Sequence, residues 1–356
     1  MNHRILSAIC CTLLIISCNS VDSGNVRYIG GTPDKISNGV LFEKVEHIPL
    51  GYAEDFMLGE VCDVEYWNGR WYVLDNKFRN AICAFDEIGN PLCFYGRVGR
   101  GPGEYVKIQS FDISPETGEV CVVCQGNRLV LLDSELNYKD EYMTDSYSYV
   151  RAAWFADGLL LFDFSESAID YLAMGNKTVK RIFSTDKDAC NVFNNEAVFM
   201  RDGERMFFHT ETDDNVYEIN SSLKLNPVLT LDYKNRKGIQ KYFRNNTIDS
   251  LTPDERMDFI RPAVNYIVFN ESTYTLGYTY LMHRISICDP ESQDIVARTF
   301  GSHFTNGMIV GSVSSAFYEP DQLQDIYAGI DVSYASVSKS SMETNPVLIV
   351  HHLRDE

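Results

Sequence analysis

The stretch that decides the fold is residues 71–105, WYVLDNKFRNAICAFDEIGNPLCFYGRVGRGPGEY. Three short runs of apolar and aromatic residues are separated by turn-forming residues, which predicts three strands followed by a glycine-rich loop. Just upstream, Asn68-Gly69 is a pair that favours a two-residue hairpin turn, so a further strand is expected before it. Four short antiparallel strands of this kind are typical of one blade of a β-propeller.

The same stretch resembles two known sequence patterns. Residues 72–75 (YVLD) and 81–89 (AICAFDEIG) resemble an NHL-type repeat, and residues 95–105 resemble the GxxGxGPGEY signature of six-bladed β-propeller lipoproteins of Gram-negative bacteria. Residues 214–219 (DNVYEI) and 345–350 (NPVLIV) agree with that lipoprotein family. The resemblance implies a propeller at the cell envelope. It implies no activity, because most members of the family have none assigned.

Looser copies of the blade pattern recur along the chain with a period of about 50 residues. They predict an all-β fold, a six-bladed β-propeller of four-stranded antiparallel blades. The sixth blade is the least regular, with strands expected at 307–313 and 316–319. We expect the two ends of the domain, 40–49 and 346–353, to pair and complete it, because closing the ring removes exposed strand edges.

One segment interrupts this rhythm. Residues 234–262 predict a helical insert, since Ser250-Leu251-Thr252-Pro253 is followed by acidic residues, as in the first turn of a helix.

The N-terminal segment has the features of a secretory signal. A short basic start precedes an apolar run that is too short to span a bilayer, and it ends in Ile15-Ile16-Ser17-Cys18, which resembles a bacterial lipobox. We therefore predict a signal peptide at 1–17, a lipid on Cys18, a flexible tether at 18–39 and the propeller domain at 40–356. The expected location is the cell envelope, with the protein anchored by its lipid to the outer membrane.

Composition excludes one class of partner. The formal net charge is −19, from 31 basic and 50 acidic residues. Nucleic-acid binding depends on Lys and Arg that neutralise phosphates, so this balance argues against a nucleic-acid partner. The negative charge also disfavours adsorption to anionic lipid surfaces, so the N-terminal lipid is the expected contact with the membrane.

A ligand site is expected on the face that carries the loops between second and third strands and between blades, including a loop at 301–306. The candidate binding residues on that face are Asp75, Lys77, Arg97, Arg100, Glu104 and Tyr105. The four glycines of 96–103 do not form a phosphate loop, because the sequence that follows reads as a strand and not as a helix. A purely conformational role for this loop is the alternative.

Three histidines provide the alternative of a metal site. NHL-type lyases of the amidating class hold zinc with histidines from different blades, and His209, His283 and His303 are the corresponding candidates here. No local spacing supports such a triad, and no cofactor is predicted.

Cysteines give one candidate disulfide. Cys83 and Cys93 flank the turn at 86–90 symmetrically and should lie opposite each other, so they form either a disulfide or two buried thiols. Cys121 and Cys124 are expected on opposite faces of one strand, beyond disulfide reach.

The function predicted from these features is a lipid-anchored binding or scaffolding module whose partner is a glycan, a peptide or an envelope protein. The alternative is a propeller enzyme, a metal-dependent lyase or hydrolase with its site at the mouth of the channel. Three histidines or a close pair of carboxylates converging on one point would favour the enzyme. Scattered aromatic and arginine side chains on the loop face would favour binding.

Overall fold

The fold is built from strands. The computed structural model of the protein describes residues 26–28, 42–53, 56–184, 197–210, 215–232, 263–270, 273–279, 285–288, 295–298, 301–315, 318, 331–333 and 345–353. These residues form 26 strands in six sheets. No helix among them is long and apolar enough to cross a membrane.

Five of the sheets contain a blade of four consecutive antiparallel strands. Blade 1 consists of β3 (Asp63–Trp67), β4 (Arg70–Asp75), β5 (Ala81–Asp86) and β6 (Pro91–Tyr95). Blade 2 consists of β7 (Ile108–Ile113), β8 (Val120–Cys124), β9 (Arg128–Leu132) and β10 (Tyr138–Met143). Blade 3 consists of β11 (Tyr149–Phe155), β12 (Gly158–Asp163), β13 (Ala168–Ala173) and β14 (Thr178–Ser184).

The remaining two blades follow the same order. Blade 4 consists of β15 (Ala197–Asp202), β16 (Arg205–Thr210), β17 (Asn215–Ile219) and β18 (Leu225–Asp232). Blade 5 consists of β19 (Ala263–Asn270), β20 (Thr273–Thr279), β21 (Ile285–Cys288) and β22 (Ile295–Arg298). A short strand β1 (Val26–Tyr28) pairs in parallel with β18, so this part of the predicted tether extends the sheet of blade 4.

The sixth sheet is composite and joins the two ends of the domain. Its order is β23-β24-β26-β2-β25, with ranges β23 (Gly301–Thr305), β24 (Met308–Val313), β26 (Val347–Leu353), β2 (Phe42–Pro49) and β25 (Asp331–Ser333). The antiparallel pairing of β2 with β26 confirms the expected closure. We call this unit the closing sheet.

The first strands of the sheets are neighbours in cyclic order. β3 contacts β7, β7 contacts β11, and the series continues through β15, β19 and β23 back to β3. The sheets therefore surround a central channel. Hydrophobic residues pack between adjacent sheets. The prediction of an all-β propeller with four-stranded antiparallel blades is confirmed, but the described residues form five such blades and not the predicted six, because the sixth sheet is the composite closing sheet.

The closing sheet differs from the predicted sixth blade. Residues 301–306 were expected to be a loop, but 301–305 form its innermost strand, β23. The hairpin that follows turns at Asn306-Gly307, where φ is +46° and +74°, as at Asn68-Gly69. Five strands are present because β25 adds in parallel to the outer edge of β2. Within 316–319 the structure describes Tyr318 alone, and it lies outside any strand.

The predicted helical insert at 234–262 lies outside the described residues. The same is true of the signal peptide and of Cys18.

Candidate functional site

The glycine-rich loop after β6 folds back onto blade 2. The guanidinium of Arg128 donates to the carbonyl oxygens of Gly101 (2.6 Å) and Glu104 (2.7 Å), and the Glu104 carboxylate accepts the N–H of Gly101 (2.7 Å). Gly103 has a φ of +65°, and a Cβ there would lie 2.6 Å from the ring of Tyr138. These contacts fix the conformation of the loop. The Glu104 carboxylate is therefore used inside the loop, where it accepts the N–H of Gly101.

Tyr105 anchors the end of this loop in the core between blades 1 and 2. Its side chain is buried, and its ring centroid lies 5.2 Å from that of Tyr95. Its hydroxyl donates to the carbonyl oxygen of Asn80 at 2.5 Å. Burial raises the pKa of Tyr105 far above its ordinary value, so the phenol stays neutral.

Asp75 organises the turn between β4 and β5. Its buried carboxylate accepts the backbone N–H groups of Gly59 (2.7 Å), Lys77 (3.1 Å) and Phe78 (2.8 Å), with a longer bond to Glu60 (3.3 Å). The turn is thereby tied to the segment that enters blade 1. Lys77 is exposed and pairs with Glu60 at 2.5 Å.

These contacts bring the remaining predicted residues onto one exposed surface. Asn80 donates to the carbonyl oxygen of Val106 (2.9 Å), and Val98 pairs with Tyr105, so the turn at 76–80 and the loop at 96–107 are contiguous. Large apolar side chains are exposed there, with Phe78 at 73% and Val98 at 61%. We call this set the loop surface: Met57, Lys77, Phe78, Arg97, Val98, Arg100 and Val106.

The cysteine register differs from the predicted one. Cys83 pairs with Phe94, and Cys93 pairs with Ala84, because a bulge beside Phe85 shifts the register of β5 and β6. Cys83 therefore packs between blade 1 and the closing sheet, whereas Cys93 packs toward blade 2. Both thiols are free, that of Cys83 buried and that of Cys93 partly buried. Cys121 and Cys124 lie on opposite faces of β8 and are also free, as expected.

The candidate metal ligands occupy different parts of two sheets. His209 is buried in β16, the second strand of blade 4, whereas His303 lies in β23 on the channel with Nδ1 3.4 Å from a carboxylate oxygen of Asp63. His283 lies outside the described residues. Within the described part of the chain, no group of three or more metal-ligating side chains is placed to hold an ion.

The channel itself contains a second set of charged residues, which we call the channel cluster. It consists of Asp63 and Glu65 from β3, Asp112 from β7, Arg151 from β11, Arg201 from β15, and His303 and Thr305 from β23. Asp63 and Glu65 are two residues apart on one strand, so they share a face. Each member belongs to the innermost strand of its sheet.

Two ion pairs link sheets that are not neighbours. Arg151 of blade 3 donates to Asp63 of blade 1 at 3.0 Å, and Arg201 of blade 4 donates to Asp112 of blade 2 at 3.2 Å. Each pair passes over the blade that lies between its partners, which requires both side chains to extend into the channel. The Arg151 side chain is 40% exposed, so solvent reaches this region.

Some members of the cluster also satisfy the unpaired inner edges of the blades. Asp112 accepts the backbone N–H of Trp154 (2.6 Å), and Arg201 donates to the carbonyl oxygen of the same residue (2.7 Å). Thr305 accepts the backbone N–H of Tyr66 at 2.9 Å. Backbone polar groups on an inner edge need such partners when they are removed from bulk water.

Glu65 is the third carboxylate of the cluster and has no guanidinium of its own among the described residues. The hydroxyl of Thr305 donates to it at 2.6 Å. Burial, followed by repulsion from Asp112 and Asp63, raises the pKa of Glu65 well above its ordinary value. Burial also acts to raise the pKa of Asp63, but the hydrogen bond from His303 and the charge of Arg151 outweigh it and lower that pKa.

Comparison with known proteins places the chain in a family. The model of a domain of unknown function, DUF4934, matches residues 28–352. The chain belongs to the DUF4934 family. No curated protein sequence matches it.

Two solved structures support the fold. One is a predicted exported protein of Bacteroides fragilis, with a TM-score of 0.67 and 13% identity, covering 93% of this chain and 100% of that chain. The other is a member of the DUF4221 family from Bacteroides vulgatus, with a TM-score of 0.50 and 12% identity, covering 89% and 98%. At these identities the likeness establishes the fold alone.

Sequence reasoning named three residues of the loop surface, Lys77, Arg97 and Arg100, but missed its apolar members and the channel cluster. The only local signal for the cluster is the alternation of Asp63 and Glu65 at the start of blade 1, which places two carboxylates on one side of an inner strand. The other members come from four more strands spread over about 240 residues of the DUF4934 domain. No spacing along the chain connects them.

Proposed function

We propose that the protein is an exported, lipid-anchored β-propeller of the cell envelope that binds a protein partner through the loop surface. The observation that carries the proposal is the exposure of Phe78 and Val98 beside Arg97 and Arg100 on a rigid turn and loop. Exposed apolar residues gathered in one place mark interaction sites on soluble domains. Aromatic and Arg side chains are also enriched at protein interfaces.

Charge selects the kind of partner within this proposal. The loop surface presents the guanidiniums of Arg97 and Arg100, with Lys77 paired to Glu60, on a chain whose formal net charge is −19. An acidic segment that also carries large apolar side chains complements both features, because it can pair with the cations and cover Phe78 and Val98. A glycan would match the cations less well, since neutral sugars carry no charge. We therefore favour a peptide segment of an envelope protein over a glycan.

Export and anchoring rest on the N-terminal sequence. The apolar run and the lipobox-like Ile15-Ile16-Ser17-Cys18 favour secretion and a lipid on Cys18. The predicted export of the structurally similar Bacteroides fragilis protein agrees with this location. A lipid on Cys18 would appear in mass spectra of the protein recovered from the membrane fraction as an acylated N-terminal peptide.

The binding proposal is tested with a peptide library in which acidic and basic peptides share the same apolar residues. We expect wild type to retain acidic–apolar peptides. The Phe78→Ser/Val98→Ser and Arg97→Glu/Arg100→Glu variants should each lose at least ten-fold in affinity.

Two matched controls keep the comparison specific. Ile88 is 71% exposed but lies in the turn at the other end of β5, and Lys180 is exposed on the outer strand of blade 3. Ile88→Ser and Lys180→Glu should bind like wild type. Equal retention of basic peptides, or loss of binding in the controls, would contradict the proposal.

A second candidate function is a hydrolase that uses the channel cluster. It is favoured by the convergence of Asp63, Glu65 and Asp112, because carboxyl groups whose pKa values are pushed in opposite directions can act as acid and base. In that case, turnover of envelope peptides or glycans by the soluble domain would be abolished by Glu65→Gln and unaffected by Arg97→Glu/Arg100→Glu. Binding through the loop surface would show the opposite dependence.

A further inference from the structure

The channel cluster has an unequal number of charges. Three carboxylates, Asp63, Glu65 and Asp112, face two guanidiniums, and each guanidinium is already committed to an aspartate. Glu65 is left with the Thr305 hydroxyl, which is a neutral donor. An additional negative charge beside two other carboxylates in a narrow channel is costly.

The contacts of Glu65 lie at the seam of the ring. Thr305 belongs to β23 of the closing sheet, whereas Glu65 and Tyr66 belong to β3 of blade 1. The Thr305 oxygen accepts the N–H of Tyr66 and its hydroxyl donates to Glu65, so one side chain ties the two sheets together. This is the seam at which the last innermost strand meets the first.

We propose that Glu65 carries a proton at neutral pH, so that the channel cluster works as a proton-controlled latch on the seam between the closing sheet and blade 1. With the proton present, two carboxylates balance two guanidiniums and the Thr305 bridge is undisturbed. Loss of the proton creates a third anion in the cluster, which Asp112 and Asp63 repel. The inner end of β3 is then pushed away from its neighbours.

The groups around Glu65 support this assignment from every side. Asp63 precedes it on β3, Asp112 faces it from β7, and the nearest cation is Arg201 from β15, which is bound to Asp112. His303 on β23 contacts Asp63, and Arg151 on β11 does the same. Tyr72, its cross-strand partner on β4, donates to the carbonyl oxygen of Ser134. β19 contains no acidic or basic residue.

The direction of the pH effect follows from linkage. The pKa of Glu65 is higher in the folded chain than in the unfolded chain, so folding retains a proton that unfolding releases. The resulting stabilisation is fully present below the ordinary carboxyl pKa and is lost as the pH rises through the folded-state value. The stabilisation of the seam by the latch therefore decreases as the pH rises above the ordinary carboxyl pKa.

Glu65→Gln tests the latch because the amide copies the protonated carboxyl. Its oxygen can accept from Thr305, as the Glu65 carboxyl does, and it does not titrate. We expect the melting temperatures of the variant and wild type to be equal near pH 4, and the variant to become progressively more stable as the pH rises. Glu116→Gln, on an exposed turn, should follow wild type at every pH.

Two further measurements keep the test independent of the folding of one variant. Infrared spectra of wild type should show a protonated carboxyl band at neutral pH that disappears at the higher pH where the difference in melting temperature between wild type and Glu65→Gln stops growing. Thr305→Val should lower stability at all pH values and, because the Thr305 hydroxyl lowers the pKa of Glu65, should extend the fall in stability to higher pH. Parallel melting curves for wild type and Glu65→Gln, or the absence of the infrared band at neutral pH, would overturn the proposal.

Discussion

At the scale of single residues, an aspartate at a strand end recurs as a turn organiser. Asp163 accepts the backbone N–H groups of Ser165 and Glu166, as Asp75 does for its own turn, and Asp133 serves the turn after β9 in the same way. A short carboxylate close to its own backbone satisfies N–H groups that a tight turn leaves unpaired. In the YVLD segment, which resembles an NHL-type repeat, the final aspartate is explained physically by these hydrogen bonds to the turn that follows it.

Asp75→Ala should therefore destabilise the protein strongly. The substitution removes a buried carboxylate that accepts the backbone N–H groups of Gly59, Lys77 and Phe78, and we expect a loss of roughly 3 kcal/mol in the free energy of unfolding. Asp86→Ala is the matched control. Its carboxylate accepts from Ile88 and Asn90 in an exposed turn, where water can replace it, so about 1 kcal/mol is expected. Equal losses in urea denaturation would contradict the assigned role.

The residue scale also shows where prediction from sequence stops. Asp75, Glu104 and Tyr105 were found because a local motif contains them, yet the motif did not distinguish a binding residue from one that shapes a loop. The channel cluster carries no motif at all. Its members meet only because the ring brings together the inner strands of sheets that are far apart in sequence.

At the scale of elements, the closing sheet contains two buried histidines. His47 on β2 and His351 on β26 are both buried, and burial lowers the pKa of each to about 4. Val45 pairs with His351, and His47 pairs with Ile349, so both imidazoles lie in the paired region that joins the chain ends. The folded sheet accommodates them in the neutral form.

Acid should therefore weaken the closing sheet. Each histidine binds a proton more readily in the unfolded chain, so its stabilisation is present above about pH 6.5 and is lost as the pH falls toward 4. A shift of this size corresponds to roughly 3 kcal/mol for each histidine. His351→Gln should reduce the loss of unfolding free energy between pH 6.5 and 4 by about this amount. His352→Gln is the control, because His352 is partly exposed beside Glu46. A similar change in slope for both variants would refute the assignment.

Element boundaries were predictable where turn chemistry is strong. Asn68-Gly69 predicted the first hairpin correctly. Asn306-Gly307 is the same kind of turn, but residues 301–306 were interpreted as a loop, so the strand β23 before this turn was not predicted. The predicted pairing of Cys83 with Cys93 was wrong for a different reason. A bulge between Ala84 and Phe85 shifts one strand by a residue, and symmetry about a turn cannot reveal a bulge.

At the scale of the whole molecule, the ring depends on one antiparallel contact between the chain ends. β2 and β26 pair from Phe42 and Leu353 through Pro49 and Val347. The other blades are formed from strands that are adjacent in sequence, so their formation closes short loops. Pairing β2 with β26 closes a loop of nearly the whole domain, which carries a larger entropic cost in the unfolded chain.

A disulfide across this contact should stabilise the protein more than one within a blade. Lys44 and His352 are directly opposed on β2 and β26, within disulfide reach, and Ala173 and Thr178 are opposed in the hairpin of β13 and β14. The Lys44→Cys/His352→Cys disulfide encloses about 300 residues and should add about 5 kcal/mol relative to its own reduced form, against about 2 kcal/mol for Ala173→Cys/Thr178→Cys. Comparing each disulfide with its own reduced form removes the effect of the surface ion pairs that the substitutions delete. Urea denaturation that gave equal gains would show that the chain ends do not form the long-range closure on which the ring depends.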